Sequence, residues 1–367
     1  MSQMKSRAEL SLVNLDEYLP AIVDRLTSFD ATVERQPDGI AFRYGYGSAF
    51  LGTGTGKLSM ELQAANADGL QRVRDLVTVA VQIYAKQEKP DIVWQGDLSG
   101  QGKLVTFRKL RVKKIEALTP RMRRIRFEGD NLARYDAFGG MHLRLLFPTA
   151  ENPDPVWPVS GPNGLPLWPD EARRPAARVY TIRQLDVADG WMDIDFVVHG
   201  DDHSHSDHGG EGIGSAWAIS AKPGDEIGII GPLGRPVRDA GWYVLGCDET
   251  GLPAVSRMLE RFSPSTRGAA IIEVADEAER LELKHPEGFS VHWIYRNGVP
   301  AGEHRELVET VSGVEWPAGE NCFGWFAAEA DHARTLREYW RQTLSYGRDS
   351  TLVAAYWRRG ETGVMAG

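Results

Sequence analysis

Cysteine is scarce in this chain: 367 residues contain two, Cys247 and Cys322, far apart and with no CxxC partner. That excludes a disulfide framework and a cysteine metal site, and it suits a reducing compartment. Positive charge is not in excess either. The 42 Lys and Arg are outnumbered by 51 Asp and Glu, for a net charge of −9, which argues against nucleic acid or an anionic membrane as a bulk partner. No uninterrupted apolar run approaches the ~20 residues of a membrane span. The opening "MSQMKSRAELSLVNLDEYLP" has acidic residues where a signal peptide needs an apolar core. The expectation is a soluble cytoplasmic protein with no membrane insertion. GxSxG and HExxH are absent, so serine-hydrolase and zincin readings find no support.

What is present is an ordinary globular composition, 42% hydrophobic and 25% charged, arranged in three patterns. Residues 1–97 read as a small α+β domain. "NLDEYLPAIVDRLTSF" carries a helical stripe at Leu15, Leu19, Ile22, Val23 and Leu26, "GIAFRYG" and "GKLSMELQAA" alternate like strands, and "ADGLQRVRDLVTVAVQIYAKQE" is helical again. From 103 to 237 six short strands predict an antiparallel barrel, which leaves no exposed sheet edge: "KLVTFRKLRVKKIEAL", "MRRIRFEG", "MHLRLLFP", "ARVYTIRQLD", "MDIDFVVHG" and "DEIGIIGPLG". "SGPNGLPLWPDEARRP" is too rich in Pro and Gly for an element and reads as an excursion. Residues 238–367 alternate strand and helix, predicting a parallel α/β domain with ligands at the carboxyl ends of its strands. The fold class is thus multidomain, α+β followed by barrel and α/β.

The stretch "ARVYTIR" sets Arg178 and Tyr180 on one face of a strand and Thr181 on the other. An Arg grips phosphate, a Tyr ring stacks on a flat heterocycle, and a Thr hydroxyl bonds a ring nitrogen, a set that suits a flavin dinucleotide. The same residue types are common in exposed strands. Taken alone, the three leave both readings open.

"LTPRMRRIRFEG", "HLRLLFP", "RVYTIR", "DIDFVVHG", "SAWAISAKPGDEIGIIGPLG", "DETGLPAVSRMLE" and "AAYWRRG" occur in one order. In that combination the chain, over residues 103–362, resembles the siderophore-interacting proteins, FAD-binding ferric-siderophore reductases of ferredoxin-reductase-like fold. Residues 1–97 are similar to a small domain of unknown function. The resemblance implies an FAD-binding barrel and an NAD(P)-binding-like α/β domain. It implies Arg178 on the FAD phosphates, Tyr180 against the isoalloxazine, and Thr181 near the reactive N5. His199 and Gly200 match a His-Gly pair of the family, and Gly214, Ser215 and Ala216 its phosphate segment. Trp217 is read as core packing.

The electron donor implied is NADPH or NADH at the turn holding Asp248, Glu249 and Thr250, which is not a GxGxxG fingerprint. Cys247 and Ala328 stand where the family usually has glycine, adding bulk near that path, and reduced ferredoxin is the alternative donor. The implied substrate is a ferric siderophore held by Arg144 and Arg358; Leu233 occupies the third basic position, with Arg235 one turn residue beyond as its substitute. The basic run from Lys103 to Arg126 reads as the charged outer face of barrel strands in preference to a ferredoxin-steering patch.

The insertion "DDHSHSDHGGEGI", with His203, His205, Asp207 and His208, reads as a surface connection beside the FAD segment. It is assigned no permanent metal site, because ligands there must lose conformational entropy to converge. Two rivals remain: a general NAD(P)H:flavin or ferredoxin-type oxidoreductase, and a non-catalytic siderophore-binding module.

Overall fold

A computed structural model describes residues 3–100, 102–137, 140–198 and 212–361. The chain divides into two compact units, 1–108 with 152–175, and 109–151 with 176–367.

In the first unit β1 (Met4–Ser11), α1 (Leu15–Thr27), β2 (Thr32–Gln36), β3 (Gly39–Tyr44), β4 (Gly47–Gly54), β5 (Lys57–Ala64), α2 (Ala67–Tyr84) and β6 (Gln95–Gly96) form a six-stranded sheet of order β2-β3-β4-β5-β1-β6 with two helices. Strict alternation along β1 and β5 turns one sheet face inward. The predicted stripe of α1 seals it: Leu15, Ile22 and Leu26 are buried, and Leu19 and Val23 pack against that core. Asn66 caps α2, its side chain accepting from Gly69 N at 2.8 Å. β7 (Gly102–Lys103) completes this part.

The barrel begins with β8 (Phe107–Thr119), β9 (Met122–Glu128), α3 (Arg134–Ala137) and β10 (His142–Phe147). The excursion that follows carries β11 (Val159–Ser160) and β12 (Pro166–Leu167), and it belongs to the first unit. There it lies along α2: Gln71 donates to Gly164 O at 3.0 Å, Thr78 to Asn163 O at 3.2 Å, and Trp94 N to Pro162 O at 3.2 Å.

The chain returns through β13 (Ala176–Asp186), β14 (Trp191–Val197), α4 (Ile213–Ser220) and β15 (Glu226–Leu233). The six predicted strands close in the order β10-β13-β14-β9-β8-β15. Leu143, Leu145, Ile125, Phe127, Ile182, Ile194 and Phe196 fill the interior.

The basic run is neutralised across this barrel. Arg124 and Arg126 lie directly opposite Asp195 and Asp193 and bind them bidentately at 2.7–2.8 Å, while Lys109 and Arg111 share Glu226. Paired charges of this kind are a barrel wall, as the alternation suggested.

β16 (Trp242–Cys247), α5 (Leu252–Arg261), β17 (Arg267–Val274), β18 (Phe289–Tyr295), α6 (Glu306–Ser312), β19 (Cys322–Glu329), α7 (Ala330–Glu338) and β20 (Thr351–Trp357) form a parallel sheet of order β18-β17-β16-β19-β20. Helix α5 joins this domain to the barrel. Arg257 donates to Ile182 O of β13, Glu260 binds Arg183 at 2.7 Å, and Arg261 pairs with Asp136 of α3.

Asp195 is 4% exposed and serves Arg124, with Arg183 3.9 Å away. Removing a buried partner of an ion pair leaves its cation uncompensated, at about 3 kcal/mol. Asp195→Ala should lower stability by about that amount in urea unfolding; a loss under about 0.5 kcal/mol would show the pair to be superficial.

Candidate active site

Strand β13 displays its residues on two faces, as period-2 geometry requires. On the inner face the Tyr180 ring lies 4.5 Å from Phe196 and edge-on to Phe147 at 6.2 Å. Desolvation raises the pKa of its phenol, against the pull of Arg178. The phenol oxygen abuts the start of α4 so closely that a Cβ on Gly214 would lie 2.0 Å from it. Only glycine fits there.

Helix α4 opens at Gly212 with no capping side chain and no acid in its first turn. Ser215 is buried and Ala216 half-buried. Trp217 stacks on Phe127 at 6.1 Å in the barrel core, as expected of it. Arg178, half-buried, donates to Ala177 O at 2.7 Å, and desolvation lowers its pKa.

A helix start without acids and a guanidinium two residues from an aromatic ring form a donor set that fits a dinucleotide: diphosphate at the amides, flat ring at Tyr180.

On the outer face Thr181 is buried and sits in register with His142 of β10. His142 Nε2 and the phenol of Tyr356 on β20 share a hydrogen bond, the two rings meeting edge-on at 5.4 Å. Desolvation and the charge of Arg257 lower the His142 pKa to about 4, so the imidazole is neutral. A Cβ on Gly234 would lie 3.0 Å from His142 Nδ1.

His142 is therefore where the three arginine-bearing segments meet. Arg144 is two residues along β10, Arg235 follows Gly234, and Arg358 lies two residues beyond Tyr356. Arg144 and Arg235 are half-buried, and Arg358 is exposed with Glu361 at 3.4 Å.

The turn after β16 is a second polar cluster. Asp248 accepts from Thr250 N at 2.9 Å and from its hydroxyl at 2.5 Å, and from the Trp357 indole at 2.7 Å. Burial, with the neighbouring Glu249 charge, pushes the Asp248 carboxyl up to about 7. Glu249 binds Arg296 in a fork at 2.6 and 2.7 Å, and Arg296 reaches Glu273 at 3.3 Å. Cys247 and Ala328 are fully buried in the packing of the α/β domain. Their added bulk is absorbed by the core, at position 247 because residue 251 is glycine: a Cβ there would lie 2.6 Å from that of Cys247.

His142, Tyr356, Trp357 and Arg257 escaped the sequence reading. A signal for two of them existed: His142 precedes Arg144, and Tyr356 precedes Arg358, by the two residues that share a strand face. His199, Gly200 and the insertion with His203, His205, Asp207 and His208 lie outside the described residues. Among the described residues no three His, Cys, Asp or Glu side chains cluster as a metal site would need.

Folded, Asp248 holds its proton up to about pH 7; unfolded, it ionises near ~3.9. Its raised folded pKa contributes stability that is complete below the unfolded pKa and is lost as pH rises through the folded one. The stability of Asp248→Asn relative to the parent should thus grow by about 1–3 kcal/mol between about pH 5 and 8. A difference that stays flat with pH in apoprotein melts would reject this assignment.

The siderophore-interacting FAD-binding domain profile matches residues 111–236, and the siderophore-interacting protein profile matches 240–360. The ferric vibriobactin reductase ViuB of Vibrio cholerae is 28% identical over 243 residues, covering 65% of this chain and 84% of that one. The NADPH-dependent ferric-chelate reductase of Escherichia coli is 29% identical over 259 residues, covering 68% and 92%. Among solved structures, a siderophore utilization protein from T. fusca superposes with a TM-score of 0.60 at 32% identity, covering 71% of this chain and 97% of that one. With both its barrel and its α/β domain matched, the chain belongs to the siderophore-interacting protein family.

Proposed function

We propose that this protein is an FAD-dependent ferric-siderophore reductase that passes electrons from NAD(P)H to chelated Fe(III) and releases Fe(II). The observation that carries the reading is the meeting of the Arg144, Arg235 and Arg358 segments at His142, directly against the strand of Arg178, Tyr180 and Thr181. The relatives named as ferric vibriobactin reductase and NADPH-dependent ferric-chelate reductase support it.

Bound FAD supplies the conversion of a two-electron donor into single-electron steps. The chain's own residues do the rest. Arg178 and the amides of Gly214, Ser215 and Ala216 would hold the diphosphate, and His199 and Gly200 are assigned to the same cofactor by the sequence resemblance. Tyr180 would pack against the ring, and Thr181 would lie near its N5. Arg144, Arg235 and Arg358 hold an anionic chelate within electron-transfer reach. Asp248, Glu249 and Thr250, tied into their turn, border the nicotinamide donor. Oxygen-rich siderophores hold Fe(III) far better than Fe(II), so reduction alone loosens the iron and no protein ligand is required.

Reduced ferredoxin is the other donor of suitable chemistry, and a cytoplasmic location follows from the donors invoked. No helix among the described residues is long and apolar enough to cross a membrane.

Purified protein should be yellow, bleach anaerobically with one of NADPH, NADH or reduced ferredoxin tried in turn, and recover its colour with a ferric siderophore while an Fe(II) chelator traps iron. Absence of bound flavin would leave only a binding module. Reoxidation by free flavin but not by ferric chelate would favour a general flavin reductase. Replacing Arg144 and Arg358 together by Ala should raise KM for an anionic ferric siderophore about tenfold or more, with kcat much less affected. An unchanged KM would remove them from the substrate site.

A further inference from the structure

Helix α2 is buried on two faces. Leu70, Val73, Val77 and Val81 turn into the sheet core of the first unit. Gln71, Arg74 and Thr78, spaced i, i+3 and i+7 along another face, are polar and yet at most 1% exposed. A polar helix face ordinarily meets water; this one meets the excursion 152–175. Three consecutive carbonyls of that arm are each taken by a donor from residues 1–97: Pro162 O by Trp94 N at 3.2 Å, Asn163 O by the Thr78 hydroxyl at 3.2 Å, and Gly164 O by the Gln71 amide at 3.0 Å. The donors are themselves held, since the Trp94 indole donates to Thr78 Oγ1 at 3.0 Å and Arg74 donates to Gln71 Oε1 and Leu98 O. Gly164 lies in the left-handed region at φ +79°, and a Cβ there would lie 2.4 Å from Arg74 Nε. The arm is thus gripped by its main chain, at a turn where only glycine fits.

The base of the arm is closed as well. Asn152 donates to Arg173 O at 3.0 Å and to Arg174 O at 3.3 Å, and Val156 N donates to Arg173 O at 2.9 Å. Pro175 then leads directly into β13, whose first residues lack core packing: Ala176, Ala177 and Arg178 are half-buried, Val179 is 43% exposed, and the first buried side chain is Thr181. A strand end with few buried apolar groups opens locally unless something fixes it. This one has its ladder to β10 and the chain that feeds it.

We propose that residues 1–97 serve the flavin site: Gln71, Thr78 and Trp94 order the arm, and the ordered arm fixes the Arg178 end of β13 for the diphosphate of FAD. They are positioning residues that act through Arg178. The inference rests on the reading above that Arg178 holds that group, and it gives the N-terminal domain a task in cofactor retention. Without the grip, the connection from 148 to 175 gains conformational freedom, and FAD affinity falls with the fraction of molecules whose strand end is in place.

The test is the FAD dissociation constant of the full chain, read by fluorescence titration after removal of bound flavin, together with deuterium exchange over 152–179. Gly164→Ala breaks the grip from the arm side and leaves residues 1–97 untouched. Gln71→Leu with Thr78→Val removes both side-chain donors from the other side. Each should speed exchange across the arm and the start of β13 and weaken FAD binding by about tenfold, as an ordered fraction of ~0.1 requires. At saturating FAD, kcat with a ferric siderophore should match the parent. Combining the two sets should weaken binding no further, because both break one contact, and Thr78→Ser, which keeps the hydroxyl, should bind FAD as the parent does.

Should the Gln71 and Thr78 double variant fail to fold, Gly164→Ala decides the matter. Faster exchange with unchanged FAD affinity overturns this inference and leaves the reductase reading intact, as does exchange in Gly164→Ala that stays at the parent's rate. Parent protein that binds no FAD overturns the reductase reading, and this inference with it.

Discussion

The antiparallel pairing of β10 with β13 sets His142 opposite Thr181 and Arg144 opposite Val179, and the rest of the site depends on that register. A slip of one residue would turn Thr181 into the barrel core and Tyr180 out of it, because strand side chains alternate strictly. The barrel interior enforces the pairing. Leu143, Leu145 and Ile182 are fully buried, and none can be turned to solvent without losing most of the ~1.5–3 kcal/mol that burial of such a side chain contributes. Thus the ordinary hydrophobic packing of a small barrel decides which polar groups face the cofactor side and which face the neighbouring domain.

The second constraint is the grip of the α/β domain on that same strand. Arg257 caps the carbonyl of Ile182, Glu260 forks onto Arg183, and Tyr356 bonds His142, which stands in register with Thr181. Buried and charge-assisted contacts of this kind hold two domains more firmly than apolar contact alone, because each broken bond strands a desolvated group. The electron-accepting and electron-donating sides of a flavin site need such mutual rigidity, since transfer is sensitive to small displacements. The polar cluster at Asp248 extends the same logic: Trp357, adjacent to Tyr356, ties the end of β20 to the turn after β16.

Much of the architecture was legible in the sequence because hydrophobic periodicity reports local geometry directly. All six barrel runs and all five strands of the α/β domain appear as read, and the α1 stripe is buried as spaced. The Pro- and Gly-rich segment was recognisable as an excursion, yet its attachment to α2 was not, since that depends on main-chain carbonyls at 162–164 meeting Gln71, Thr78 and Trp94 from far along the chain. Cys247 and Ala328 read as bulk in a ligand path because sequence spacing cannot distinguish the core side of a strand end from its open side.

By itself the sequence determined the element order, the inward and outward faces of each strand, and a motif set diagnostic of the family, all of which are written in near neighbours along the chain. Only the tertiary structure decided that a histidine on β10 and a tyrosine on β20, 214 residues apart, share a hydrogen bond beside Thr181. It alone showed that Asp248 is a desolvated carboxyl with its oxygens engaged. Those properties arise from distance and desolvation among groups remote in sequence, and no local pattern encodes them until the barrel closes and the α/β domain packs against it.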